Sequence, residues 1–219
     1  MFAIIADIIH SRSYKDRAGV QEKLAATLAE VNQRFQASLA SAFSITLGDE
    51  FQGLLIKADR ILEILDVIRM RMDPVDLRFG IGTGEINTRI EPSMSIGADG
   101  PAYWNAREAI QRVHQENYYG TLRTYLVSNQ PSPYLASINY TLALTDFISS
   151  SWRSTQKEVL KAMLNEGWYT DKFDHGYLAA KLGILPSSLT RRLKSSGIKL
   201  YLRSRMEAQK IINQLEEQA

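Results

Sequence analysis

Ala42-Phe43-Ser44-Ile45-Thr46-Leu47-Gly48-Asp49-Glu50-Phe51-Gln52-Gly53-Leu54-Leu55-Ile56 is the stretch that decides the fold. Two β-prone runs, Ala42 to Leu47 and Phe51 to Ile56, flank the polar turn Gly48-Asp49-Glu50, which predicts a β-hairpin. Upstream, Val20, Leu24, Leu28, Val31, Phe35 and Leu39 recur every three or four residues, the spacing of one long amphipathic helix. Before it, Phe2 to Ile9 is apolar and β-branched, broken only by Asp7, and predicts a central strand buried on both faces. Downstream, Ile61, Leu62, Leu65, Ile68 and Met72 mark the buried side of a second helix, which Pro74 ends. Leu77 to Gly84 follows as a fourth strand, with Phe79 and Ile81 alternating against glycines. Strand, helix, hairpin, helix, strand predicts an α+β fold: one four-stranded antiparallel sheet with two helices on one face.

Beyond the sheet, Gly97 to Pro101 is a turn-rich stretch, Ala102 to Gln115 a helix and Thr121 to Ser128 a further strand. Pro131 and Pro133 mark a boundary. Tyr134 to Ser151 reads as a helical connector. Short helices follow over Thr155 to Asn165 and Tyr177 to Leu182, then the turn Gly183-Ile184-Leu185. Pro186 suits the first position of another helix, where its missing N–H costs nothing. Met206 to Glu217 reads as a closing helix. Three units result: an α+β domain over 1–130, a connector over 131–151 and a small all-α domain over 152–219.

Composition narrows the chemistry. The 219 residues are 45% hydrophobic and 23% charged, values of a folded soluble protein. With no cysteine, disulfides, thiolate zinc sites, Cys-ligated iron–sulfur clusters and cysteine nucleophiles are excluded. His10, His114 and His175 lie far apart and give little material for a His-rich metal site or a Ser-His-Asp triad. Met1 to Ile9 is far short of the ~20 apolar residues that span a bilayer. It has no basic leader or cleavage site, so neither a membrane partner nor a signal peptide is expected, and a cytoplasmic location is. From Trp152 onward there are 12 Lys+Arg against 7 Asp+Glu, a net of +5; the rest has 14 against 17, a net of −3. A mildly acidic body with a basic tail suggests that the tail meets a polyanion.

The strand order brings the end of the first strand close to the hairpin tip, and so Asp7 close to Asp49 and Glu50. Two carboxylates with backbone carbonyls suit Mg²⁺ or Mn²⁺, hard ions that prefer oxygen. Equally, Asp49 serves the turn, and Asp7 pairs with an arginine or caps a helix; spacing alone leaves both readings open. Gly80, Gly82 and Gly84 share one face of their strand and predict close approach, of a ligand or of a packed helix. Gly97-Ala98-Asp99-Gly100-Pro101 precedes a helix that could hold an anion, although Asp99 disfavours phosphate there.

Asp7-Ile8-Ile9, Leu47-Gly48-Asp49-Glu50-Phe51 and Leu77-Arg78-Phe79-Gly80-Ile81-Gly82-Thr83-Gly84 together resemble the class III nucleotide cyclase catalytic domain. Gly48-Asp49-Glu50-Phe51 also resembles the signature of diguanylate cyclases, which share the palm-like sheet. Gly100-Pro101-Ala102-Tyr103-Trp104-Asn105-Ala106-Arg107 looks like the cyclase helix that follows a Gly-rich turn. The likeness covers roughly Phe2 to Ser128 and implies a ferredoxin-like or palm fold. The whole chain is similar to the SatD family of bacterial proteins. By the cyclase resemblance, Asp7 and Asp49 would bind the metal, and Ile8 would offer its carbonyl. Ile8, Ile9, Gly48 and Glu50 would border the nucleotide, and Asn105 and Arg107 would be the catalytic candidates. The sequence departs from the pattern at three places. Ala109 stands four residues after Asn105 where an Arg is expected. With Arg107 aligned instead, Tyr103 replaces the Asn. Leu47 replaces the first glycine of the diguanylate cyclase signature. Metal and phosphate binding are thus better supported than turnover.

In the tail, Tyr177 to Ile184 followed by Ser187 to Lys194 resembles a helix-turn-helix. Leu189 and Leu193 face inward at i, i+4, which leaves Ser187, Ser188, Arg191, Arg192 and Lys194 outward and suited to base edges and phosphates. The bland alternative is a three-helix interaction domain with a solvated basic face. The expected function is a Mg²⁺-dependent, nucleotide-responsive regulator that binds double-stranded DNA as a homodimer. Its ligand would be a nucleotide triphosphate or a nucleotide second messenger. The alternatives are a nucleotidyl cyclase or related phosphoryl-transfer enzyme with a targeting tail, and a scaffold.

Overall fold

The computed structural model describes residues 1–116 and 118–217; Asn117 of the first expected unit, and Gln218 and Ala219 of the third, lie outside them. β1 (Phe2–Ile8) runs through the middle of the sheet. Its side chains alternate: Phe2, Ile4, Ala6 and Ile8 enter one core, while Ala3 and Ile5 enter a second on the opposite face. β3 (Glu50–Leu55) and β4 (Leu77–Thr83) flank β1, both antiparallel to it. β2 (Leu39–Leu47) closes the hairpin side, and β5 (Thr124–Ser128) lies parallel to β4, giving the order β2-β3-β1-β4-β5.

The fold is α+β, as expected, but the sheet is five-stranded and mixed, and helices cover both faces. α1 (Arg17–Arg34) and α2 (Ile61–Met72) pack on the face of Phe2 and Ile4. α3 (Pro101–Glu116) packs on the other, joining Ala102, Tyr103, Ala106 and Ile110 to Ala3 and Ile5. Two parallel strands cannot be joined by a hairpin; α3 is the crossover that makes β5 parallel to β4. The glycines of β4 decide how closely it lies. A Cβ at Gly82 would stand 2.1 Å from both the carbonyl oxygen of Ala102 and the amide nitrogen of Ala106. The glycine stripe therefore serves helix packing.

Five helices follow: α4 (Leu135–Ser150), α5 (Ser154–Asn165), α6 (His175–Lys181), α7 (Pro186–Ser196) and α8 (Ile198–Glu217). α8 begins eight residues before the expected Met206. Gly197, at φ 65°, ends α7, and α8 starts at the next residue with Tyr201, Leu202 and Arg205 buried on its inner side. These helices share the α1/α2 core: Leu160, Leu193, Leu202 and Leu215 belong to the same apolar cluster as Phe2 and Ile4. α8 also supplies caps for the start of α2. Gln209 Oε1 accepts the Leu62 N–H at 2.9 Å and Asn213 Oδ1 accepts the Ala58 N–H at 3.0 Å. Asn139 of α4 stands in for a neighbouring strand at β5, accepting the Leu126 N–H (2.8 Å) and donating to the Leu126 carbonyl (2.9 Å). Among the described residues, no helix is long and apolar enough to cross a membrane.

Candidate functional site

The β1–β3 register sets Asp7 opposite Glu50, and both side chains rise on the face that α3 covers. Asp49 sits one residue back, in the turn, after Gly48 at φ 55°. Its carbonyl accepts the Ile8 N–H at 3.1 Å. Among the described residues, its carboxylate has no hydrogen-bond or ion-pair partner. The carboxylate that shares Asp7's strand register is thus Glu50 rather than Asp49.

Asp7 is already partnered. Arg78 Nε donates to Asp7 Oδ1 at 2.8 Å, and His114 Nε2 stands 3.0 Å from Asp7 Oδ2. His114 Nδ1 lies 2.9 Å from Arg78 Nη1. A guanidinium only donates, so Nδ1 accepts and the ring proton sits on Nε2, donating to Asp7. The three side chains close a hydrogen-bonded ring. Beside it, Arg107 grips Glu50 through Nη1 and Nη2, and Thr46 Oγ1 donates to Glu50 Oε1 at 3.1 Å. The Arg107 hydrogen bonds hold the Glu50 carboxyl below its usual range against the opposing effect of burial. In return the Arg107 guanidinium is held above its own.

The sequence motifs assign no role to Arg78 or His114, although the β4 strand run and the α3 helix run contain them. Arg78 has the parity of Gly80 and Gly82 and so rises on α3's side of β4. His114 lies seven residues, about two turns, beyond Arg107 on one side of α3. The other expected residues are placed as follows. Asn105 turns inward, and its Nδ2 donates to the Thr83 carbonyl at 2.8 Å, so it fastens α3 to β4. Ile8 is buried, and the Ile9 N–H bonds the Asp76 carbonyl at 2.9 Å. The Gly48 carbonyl accepts from the Gln21 side chain.

As arranged, Asp7 and Glu50 do not offer a free pair of carboxylates to Mg²⁺ or Mn²⁺, and of the three expected carboxylates it is Asp49 that is unpartnered among the described residues. Both Asp7 oxygens and both Glu50 oxygens answer Arg, His or Thr donors. Among the described residues, no group of three His, Cys, Asp or Glu side chains can hold a metal ion. A cleft of about 190 Å³ lies elsewhere, at the seam of α2, the loop that follows it, α4 and α5. Its cations are also committed, Arg69 to Asp146 at 3.0 Å and Lys157 to Asp73 at 2.6 Å.

In the tail, α6 and α7 meet across a turn at Leu182 to Leu185, where Gly183 takes φ 64°. Leu178, Ala179, Leu189 and Leu193 form the buried seam. Ser187, Arg191 and Lys194 are exposed, and Ser188 is half-buried. Arg192 differs from the expectation: its Nη1 donates to the Thr155 carbonyl at 3.2 Å and lies 3.4 Å from Glu158, so it braces α7 against α5. Trp152 anchors the unit from below, its Nε1–H donating to the Ser196 carbonyl at 2.7 Å.

These elements define an α+β protein with a charged cluster at one end of its sheet and an exposed basic helix in its tail. The chain matches the model of the SatD family over residues 1–212, nearly its whole length, and belongs to that family. No curated protein matches it.

Proposed function

We propose that the protein is a cytosolic DNA-binding regulator whose sheet body makes DNA binding responsive to a nucleotide. The observation that carries the DNA reading is the outer side of α7. Arg191 and Lys194 are exposed there, and among the described residues neither has an ion-pair partner, while Leu189 and Leu193 hold the helix from beneath. Two free cations flanked by the small hydroxyl of Ser187 suit phosphates and base edges. The +5 charge of the tail acts in the same direction.

The nucleotide part rests on the ion pairs around Asp7 and Glu50. Arg107 and His114 are both half-exposed, so phosphate oxygens can compete with Glu50 for the Arg107 guanidinium without unfolding anything. The phosphoryl-transfer alternative draws less support, because Asn105 is buried between α3 and β4, where it fastens the two, and Asp7 is engaged by Arg78 and His114.

The test is fluorescence anisotropy of the full chain with labelled genomic duplexes at low and moderate salt, with and without ATP, GTP or a cyclic dinucleotide. Salt-weakened binding that shifts with one of these nucleotides is expected. Folded protein that fails to bind at low salt overturns the DNA reading, and a titration no nucleotide changes overturns the responsive part.

A further inference from the structure

α4 is a surface helix without a surface charge. Its sixteen residues contain one charged side chain, Asp146, and that carboxylate is buried against Arg69 and the Arg123 N–H. Ile138, Leu142 and Thr145 face inward, toward β5 and α8. The outer row is Tyr140, Leu144 and Phe147, at i, i+4 and i+7, and these are 64%, 64% and 63% exposed. Tyr118 and Tyr119, in the loop before β5, extend the row and complete a groove of about 480 Å³. Tyr119 is fully exposed. Both tyrosines have left-handed backbones, at φ 41° and 57°, an arrangement that costs a bulky residue of the order of 1–3 kcal/mol. The loop thus holds two rings outward against its own backbone preference.

We infer that a second copy of this chain covers this face. The first argument is area. Five side chains of about 200 Å² each, at these exposures, present roughly 600–700 Å², close to the ~800 Å² per partner of a stable interface. The second is charge. A twofold contact sets a patch against itself, so any charged side chain near the axis meets its like. In a chain that is 23% charged, a helix face of Tyr, Leu and Phe with no charge suits a contact centred on that axis. A helix lying on a lipid surface instead carries Lys and Arg along its polar border, and α4 has neither. This association needs no DNA and stands whether or not α7 binds it.

The test is sedimentation equilibrium of the full chain from sub-micromolar to high-micromolar concentration. The mass is expected to rise to twice that of the chain. The Leu144→Glu/Phe147→Glu variant, changed only at exposed positions, is expected to stay monomeric throughout with an unaltered far-UV spectrum. Because the chain has no cysteine, single substitutions Tyr140→Cys, Leu144→Cys and Phe147→Cys give a second reading free of background. Oxidation should cross-link at least one of them into a covalent dimer and leave Ser187→Cys uncross-linked. A wild-type chain that is monomeric at every concentration overturns the inference and leaves the face to a different protein. A dimer that survives the two glutamates and cross-links at none of the three positions overturns it too.

Discussion

Arg205 Nε lies 3.0 Å from Asp66 Oδ2, and both side chains are wholly withdrawn from solvent. Asp66 belongs to α2 and Arg205 to α8, so this pair joins the sheet body to the tail. Tyr201 and Tyr169 complete it, donating their hydroxyls to Asp66 Oδ1 at 2.6 Å and Oδ2 at 2.8 Å. Burial opposes the Arg205 charge, but Asp66 and its neighbours outweigh it and hold the guanidinium well above its ordinary value. A basic tail that composition separates from an acidic body is in this way locked to it by a buried charge.

Removing one partner of such a pair strands the other. Arg205→Met leaves the Asp66 carboxylate buried with only two hydroxyls, at a cost of about 3–5 kcal/mol. Arg203→Met, two residues earlier, loses only the surface pair with Asp171, where Arg203 is 66% exposed, and should cost less than about 1 kcal/mol. Urea unfolding followed by far-UV and near-UV signals measures both. Equal losses for the two variants contradict this account.

How far the sequence carries depends on how local the signal is. β1 through β4 with α1 and α2 are legible, because periods of two and of three to four residues are written within each element. The direction of β5 is not: five residues pair equally well either way, and only the crossover α3 settles it. α8's early start is hidden because Gly197 reads as a loop while serving as the stop of one helix and the doorstep of the next. Asp7 is legible as a polar break in an apolar strand, but its partners stand 71 and 107 residues away, at Arg78 and His114. Arg192 sits about 100° around the helix from Arg191, and the sequence does not say that α5 lies in that direction.

The β4 glycines give a contrast that packing alone decides. Gly82→Ala drives a methyl into backbone atoms of α3 at 2.1 Å, and backbone cannot swing aside as a side-chain tip does. The cost should reach or exceed the ~1–3 kcal/mol of ordinary overpacking. Gly48→Ala meets nothing within 4 Å and suffers only from φ 55°, at about 1 kcal/mol. Thermal unfolding ranks them, and a Gly82→Ala protein as stable as Gly48→Ala refutes the close α3–β4 contact.

Glu50 predicts a pH dependence with a definite sign. Arg107 holds its folded pKa below the unfolded value of roughly 4.3, so ionised Glu50 favours the folded state. That contribution is complete above the unfolded value and disappears as pH falls through the lower folded one. Wild type should therefore exceed Glu50→Gln in stability at neutral pH, and the gap should close on acidification below the ordinary carboxylate range. Denaturant midpoints of both proteins across that range test it. A gap that widens toward acid gives the wrong sign and dismisses the Arg107 pair as its source.

Neighbouring arginines of α7 should separate by role. Arg191 is exposed and has no partner among the described residues, so Arg191→Ala should leave the fold intact and weaken duplex binding. The loss should be about 1–3 kcal/mol if the contact is to a base edge. If it is to a phosphate, all sequences should weaken alike and the salt slope should fall by about 1. Arg192 braces α7 to Thr155 and Glu158, so Arg192→Ala should lower the thermal midpoint of the protein while costing less affinity per folded molecule. Anisotropy titrations at several salt concentrations, paired with melting curves, resolve the two effects. If Arg192→Ala weakens binding more than Arg191→Ala at equal folded fraction, α7 meets DNA by another side, and the outward row of Ser187, Arg191 and Lys194 is not the reading edge.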